Sequence, residues 1–297
     1  MKLNTVREIV QRALREDVGN GDITTDTIVP EISESKARIY AREKGVVAGL
    51  DIAIEVFRQL DRKIRVKKFV KDGERVRRNQ PLLELEGRTR ALLTGERTAL
   101  NFLQHLSGVA TLTRKYVDRV KPFCVKIFDT RKTIPGLRIL EKYAVRMGGG
   151  HNHRMGLYEM AMLKDNHLKI GSKFQVQNPV KGSDVIKNLV KGLRKRIPEG
   201  MKIEMEARDL NEVRVALESG VDIIMLDNMT PAGMRKAVEF IRNNSFLTDR
   251  KRPVIEASGN VGLHNVRAIA KTGVDWISIG RLTHSAPALD ISLEILK

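Results

Sequence analysis

The chain has 297 residues, with 54 Lys and Arg against 36 Asp and Glu, a net charge of +18, and 41% hydrophobic residues. That apolar share supports a sizeable core and excludes disorder as a global description. At roughly 150 residues per domain, the length suits two domains or one barrel-sized domain with an appendage. No run approaches the roughly 18 apolar residues of a membrane span, and the opening MKLNTVREIVQRALRED reads as helix rather than signal peptide. A single cysteine, Cys124, excludes an internal disulfide framework and any multi-cysteine metal site. These features set the expectation of a soluble cytoplasmic protein without membrane partners. The basic excess invites a nucleic-acid reading. However, aromatic residues make up only 4%, and the basic runs at 62–68, 75–78 and 191–197 lack the interleaved rings that stack on bases. These runs read as solvated faces.

Residues 3–16 place Leu3, Val6, Ile9, Val10, Ala13 and Leu14 on one helical face. Short strands are expected over 36–41, 45–48, 64–70 and 82–86, with a helix over 51–60 and turns at Asp72-Gly73 and Asn79-Gln80-Pro81. A long helix over roughly 95–121, interrupted near Ser107-Gly108, follows. Residues 1–110 therefore read as an α+β sandwich domain and 111–297 as a second domain, with the C-terminal tail a candidate to pack back on the first. From 125 onward, short apolar runs end at Asp129, Lys164, Glu206, Asp227, Ser258-Gly259 and Gly280, most of them followed by a helix. Asp209 and Thr230-Pro231 are helix starts, and Gly220 is a helix end. Strand and helix alternating at this spacing mean βα units on a parallel sheet. Six strands are clear, and 144–147 is a weaker seventh. An α/β barrel is the economical closure; an open doubly wound sheet is the alternative. In both, ligands bind at the carboxyl ends of the strands.

The segment 129–167 concentrates Arg131, Lys132, His151, His153, Arg154, Lys164 and His167 around Gly148-Gly149-Gly150. Arg forks match carboxylates bidentately and Lys supplies a compact charge, so this set implies a substrate with several negative charges. Three chemistries compete for it. His151-Asn152-His153 has the spacing of a strand-end metal site, but it follows three glycines rather than a strand, and the later rim positions offer no further histidine. Lys164 could act as a Schiff-base nucleophile. The abundance of cations with a Glu/Asp pair instead suggests a phosphorylated sugar with Mg²⁺, and hence phosphoribosyl transfer.

The segments REDVGNGDITT (15–25), ERTALNFLQHLSGVAT (96–111), DTRKTIPGLRILEKYAVRMGGGHNHRMGL (129–157), LKDNH (163–167), MLDN (225–228), EASGN (256–260) and SIGRLTHSAPALDISLE (278–294) are weak singly. Together and in order, they make almost the whole chain resemble the quinolinate phosphoribosyltransferases. The resemblance implies an N-terminal open α/β sandwich, an incomplete α/β barrel of seven-stranded type, and a homodimer in which each sandwich covers the partner's barrel mouth; a higher oligomer stays open. It implies transfer from phosphoribosyl pyrophosphate to quinolinate with decarboxylation, giving nicotinate mononucleotide, pyrophosphate and CO₂ in NAD biosynthesis, with Mg²⁺ as cofactor. Carried over by position, Arg131, His153, Arg154 and Lys164 would surround quinolinate, and Arg97, placed in the first turn of its helix, would reach it from the neighbouring subunit. Lys132 would hold phosphoribosyl pyrophosphate. Glu206 and Asp227 would engage the ribose hydroxyls and Mg²⁺, with Glu204 set aside as the lesser partner of that pair. Lys164, Glu206 and Asp227 are the expected catalytic set. Ser258, Gly259, Asn260, Gly280 and His284 would cradle the 5′-phosphate, although the family often has glycine where this chain has Asn260. Two alternatives remain at this stage: a same-fold phosphoribosyltransferase for another base, and a basic nucleic-acid-binding barrel.

Overall fold

A computed structural model of the chain describes residues 3–167, 170, 182–244 and 251–296. They form two compact units. The first takes the described residues of Met1–Lys115, Lys132–Gly150 and Gly280–Lys297, and the second those of Tyr116–Arg131 and His151–Ile279.

In the first unit, helix α1 (Leu3–Val18) buries Val6, Val10 and Leu14, the positions that the fourfold spacing selects. The short α2 (Ile23–Ile28) starts where Asp22 accepts the Thr25 N–H at 3.0 Å. Strand β1 (Glu34–Ala41), β2 (Gly45–Val46), helix α3 (Leu50–Leu60), β3 (Arg65–Lys68), β4 (Arg75–Val76) and β5 (Gln80–Arg88) follow. The last strand of the chain, β12 (Ile291–Leu296), joins them in an antiparallel sheet of order β12-β1-β5-β3, in register from Lys36 opposite Leu296 to Ala41 opposite Ile291. Ala37, Ile39 and Ala41 alternate inward with Leu83 and Leu85, and α3 buries Val56 and Phe57.

Helix α4 (Thr89–Val120) runs without the interruption expected at Ser107-Gly108. Those two small residues serve a close approach instead. Ser107 Oγ accepts the Ala48 N–H at 3.0 Å, and a Cβ at Gly108 would lie 2.0 Å from the Pro287 carbonyl oxygen. The seventh strand expected at 144–147 is also not formed. Residues 138–147 are helix α5 (Arg138–Met147), because Leu140, Glu141, Ala144 and Val145 recur at helical spacing and are buried.

The second unit holds the parallel strands β6 (Lys126–Phe128), β7 (Ala161–Leu163), β8 (Ile203–Ala207), β9 (Ile223–Asp227), β10 (Val254–Ser258) and β11 (Trp276–Ser278), in order β6-β11-β10-β9-β8-β7. Helices α6 (Gly182–Arg196), α7 (Leu210–Glu218), α8 (Pro231–Asn243) and α9 (Val266–Ala270) intervene, and α10 (Arg281–His284) follows β11 in the first unit. The starts expected at Asp209 and Thr230 are present: Asp209 accepts the Glu212 N–H at 2.9 Å and Thr230 the Gly233 N–H at 3.2 Å, ahead of Pro231. Near-continuous burial along β8, β9 and β10 is what a parallel sheet covered on both faces requires. Among the described residues, the sheet does not close. In place of a seventh strand, His151 alone bridges Phe128 in parallel, donating its N–H to Ile127 O at 2.8 Å.

The Gly108 approach is open to test. Gly108→Ala improves helix propensity by about 1 kcal/mol but drives a methyl into the Pro287 backbone. Overpacking of this kind costs ~1–3 kcal/mol, so the urea midpoint should fall; a rise would mean that the approach is looser than the structure has it.

Candidate active site

The carboxyl ends of the parallel strands carry the charged residues of the second unit. Phe128 leads into Asp129, which is fully buried and serves as a rivet. Its Oδ1 accepts the His153 N–H at 2.9 Å, its Oδ2 accepts from the Asn152 side chain, and its own N–H donates to His151 O at 3.1 Å. The residue after that loop, Arg154, is tied by Nη1 to Met160 O at 2.8 Å and by Nη2 to Met162 Sδ at 3.4 Å. Burial and the nearby Arg131 guanidinium lower its proton affinity, against the pull of Glu204 and Glu206. Two arginines thus stand close enough to repel, with carboxylates behind them. Lys164, just past β7, is ion-paired to Glu206 of β8, and its N–H donates to His167 Nδ1 at 3.1 Å.

Asp227 ends β9 opposite Ser258 at the end of β10. Beyond them, the chain makes two tight turns in left-handed backbone: Asn228 has φ 54°, Gly259 89° and Asn260 50°. The turns are locked together, since Asn228 N–H donates to Ser258 O at 2.9 Å and Asn260 Nδ2 to Asn228 Oδ1 at 3.0 Å. Asn is among the few side chains that tolerate this conformation, so Asn260 occupies it without the glycine that the resemblance leads one to expect. Gly259 is constrained more strongly, as a Cβ there would lie 2.2 Å from Asn228 Oδ1.

In the first unit, Lys132, Gly280 and His284 come together. A Cβ at Gly280 would lie 2.8 Å from Lys132 Cδ and 3.2 Å from His284 Nε2, and Thr283 Oγ1 donates to Lys132 O at 2.6 Å. Covalent continuity ties this group to the other, for the chain passes between units at Arg131-Lys132 and Ile279-Gly280. Arg97 lies exposed on α4. That helix begins at Thr89, so Arg97 is in its third turn rather than the first, and no helix-dipole penalty applies to it.

Sequence reasoning missed Asp129, whose role depends on a backbone fold, and passed over Glu204 and Glu256. Glu204 and Glu206 are two apart on one strand and share a face, with Glu204 fully buried and Glu206 partly open. Burial and the Glu256 charge push the Glu204 carboxyl up to about 7. Burial opposes a charged His153, and the two carboxylates beside it raise its proton affinity.

No described helix is long and apolar enough to cross a membrane. A parallel α/β sheet whose carboxyl rim carries two arginines, a lysine–glutamate pair and a double turn of left-handed backbone is the frame of an enzyme for anionic small substrates. The family description "Quinolinate phosphoribosyl transferase, N-terminal domain" matches residues 22–107, and "Quinolinate phosphoribosyl transferase, C-terminal domain" matches 109–294. The chain belongs to the quinolinate phosphoribosyltransferase family. It is 41% identical to a probable carboxylating nicotinate-nucleotide pyrophosphorylase of Synechocystis, over 97% of this chain and 92% of that one. It is 40% identical to the protein of that name in Methanocaldococcus jannaschii, over 98% and 97%. The crystal structure of NadC from Streptococcus pyogenes superposes with a TM-score of 0.88 at 38% identity, covering 100% of this chain and 99% of that one.

The double turn yields a prediction with an internal control. Gly259→Ala should destabilise the protein in thermal melts by ~1–3 kcal/mol through overpacking and backbone strain. Asn260→Gly, which keeps the left-handed backbone, should stay within ~0.5 kcal/mol of the parent in the same melts.

Proposed function

We infer that this chain transfers the phosphoribosyl group of phosphoribosyl pyrophosphate to quinolinate and decarboxylates the adduct. The products are nicotinate mononucleotide, pyrophosphate and CO₂, the committed pyridine-ring step of NAD biosynthesis. Family membership over both domains supports the activity, and the observation that carries the substrate class is the Arg131–Arg154 pair. Two like charges held together at a sheet rim gain most from a bidentate dianion placed between them.

Arg131, Arg154 and Lys164 would receive the two carboxylates, with His153 beneath them and Arg97 arriving from the second subunit of a homodimer. Lys132, Gly280, His284, Ser258, Gly259 and Asn260 would bind phosphoribosyl pyrophosphate. Asp227 and Glu206 would accept from the ribose hydroxyls. These two carboxylates end neighbouring strands and offer only oxygen. This suits Mg²⁺, which keeps several waters and takes one or two carboxylates plus substrate phosphates. Bound there, the ion would neutralise the departing pyrophosphate.

The chain's own work is electrostatic and geometric. Glu206 and Asp227 stabilise positive charge as the C1′ bond to pyrophosphate breaks. The pyridine nitrogen then forms its bond to C1′ and becomes a pyridinium. That positive nitrogen stabilises the electron pair left at C2 when the adjacent carboxylate leaves as CO₂, and the pair then takes up a proton at C2. The cations bind and orient the dianion without supplying the drive for decarboxylation. The exposed Cys124 suits a reducing cytoplasm.

The direct assay combines quinolinate, phosphoribosyl pyrophosphate and Mg²⁺ and follows nicotinate mononucleotide and CO₂; turnover with nicotinate but not quinolinate would reassign the substrate. Chelation by EDTA should abolish turnover, and Mg²⁺ should restore it. Lys164→Ala should raise the quinolinate KM at least tenfold, about 1.4 kcal/mol or more for a lost charged hydrogen bond, while single-turnover chemistry at saturation stays fast. Unchanged affinity with lost decarboxylation contradicts the division of labour. Arg97→Ala and Lys164→Ala homodimers, each poor, should regain activity when subunits exchange; verified exchange without recovery excludes a shared site.

A further inference from the structure

His153, Glu204 and Glu256 form a buried cluster that phosphoribosyl transfer does not by itself explain. Glu204 on β8 and Glu256 on β10 are fully buried, and His153 is 9% exposed. Its Nε2 lies 3.2 Å from Glu256 Oε2 and 3.3 Å from Glu204 Oε2. Its Nδ1 accepts the backbone N–H of Arg154 at 2.9 Å. A ring nitrogen that accepts carries no proton, so this geometry holds the imidazole as the Nε2–H tautomer, its single donor turned to two carboxylates; these favour a second proton, and the Arg154 N–H aimed at Nδ1 opposes it.

That geometry argues against a cation in the cluster, although its ligating atoms lie within 4.8 Å of one another. A metal would need the Nε2 lone pair while Nδ1 still accepts from Arg154, which requires an imidazolate. The cluster is also not a product of good packing. Both Glu204 oxygens and Glu256 Oε1 lack a hydrogen-bond partner, an arrangement that costs stability.

Phe128 and Trp276 set the plane of the ring edge-on, with centroids 6.2 and 6.5 Å away and interplanar angles of 80° and 85°. Aromatic walls fix a plane but do not choose which edge of the imidazole faces inward. A half-turn about the ring axis would carry Nδ1 away from the Arg154 amide. The two carboxylates make that choice by attracting the N–H edge.

We propose that Glu204 and Glu256 are positioning residues for the pyridine dicarboxylate: they orient His153 so that its Nδ1 fixes the backbone of Arg154 and so places that guanidinium beside Arg131. The assignment of the cluster to this subsite rests on the function inferred above, in which Arg154 receives quinolinate. His153 then serves the substrate through Arg154, because both of its nitrogens are engaged by the protein.

Two measurements test this. The first needs no variant: ¹⁵N spectra of histidine-labelled protein at neutral pH, with the His153 signals assigned by their loss in His153→Asn. An acceptor-type Nδ1 and a protonated Nε2 are expected; a proton on Nδ1 overturns the proposal. The second compares Glu256→Ala and Glu256→Gln, and Glu204→Ala and Glu204→Gln, in steady-state kinetics of protein verified as folded. The alanine variants should raise the quinolinate KM, about tenfold for Glu256→Ala, the scale of one lost buried hydrogen bond, with the phosphoribosyl pyrophosphate KM unchanged. The glutamine variants, which keep an acceptor oxygen, should recover part of that loss. An unchanged quinolinate KM, or an equal rise in both KM values with a fall in kcat, would show a purely structural role and overturn it. A parent that does not turn over quinolinate at all removes the subsite assignment, and the spectra still decide the tautomer independently.

Discussion

Like charges do not gather at the end of an apolar sheet unless something fixed holds them there. Arg131 and Arg154 repel each other, yet each is placed by backbone rather than by its own charge. Arg131 is two residues beyond the Asp129 rivet, and Arg154 follows a His153 whose backbone and ring are both bound. The carboxylates of Glu204 and Glu256 are buried beside that ring, and Lys164 is ion-paired to Glu206. An anion arriving at this rim meets donors already in place, so little of its binding energy is lost to ordering side chains.

A second constraint is steric. Gly259 and Asn260 occupy left-handed backbone, a Cβ at Gly259 would lie within 3 Å of Asn228, and the Asn228 N–H bonds Ser258 O, so the two strand ends are tied together. Gly280 does the same for Lys132 and His284 in the first unit. In both places a glycine is set by the need for backbone or side chain to come close, not by flexibility. The recruitment of β12 to the N-terminal sheet follows the same economy. Its pairing with β1 covers what would otherwise be an open edge, and Arg42 bonds Ser292 and Glu294 across the junction.

The +18 charge divides accordingly. A few cations belong to the rim. Many others are balanced in surface or part-buried pairs such as Arg38–Glu84, Arg65–Glu86 and Arg252–Asp275, and so add nothing to the excess. A net charge of this sign attracts anions, an effect that salt screens.

The sequence by itself determined the parallel βα grammar, the strand ends at Lys164, Glu206, Asp227 and Ser258, and the helix starts at Asp209 and Thr230, because these depend on local periodicity and short-range hydrogen bonds. It misread 144–147 as strand, since four residues of an apolar run do not separate a period of two from one of 3.6. It also misread Ser107-Gly108 as a break, since a small residue chosen for a distant close approach looks the same as one chosen for a turn. Glu204 was undervalued because alternation gives a face and not a depth: whether a carboxylate on the inner face meets solvent or a histidine depends on which loop closes over it. Asp129, the His153 tautomer and the packing of Gly259 against Asn228 were decided by tertiary structure alone. Each depends on backbone atoms brought together from separate segments, and no spacing along the chain encodes that proximity.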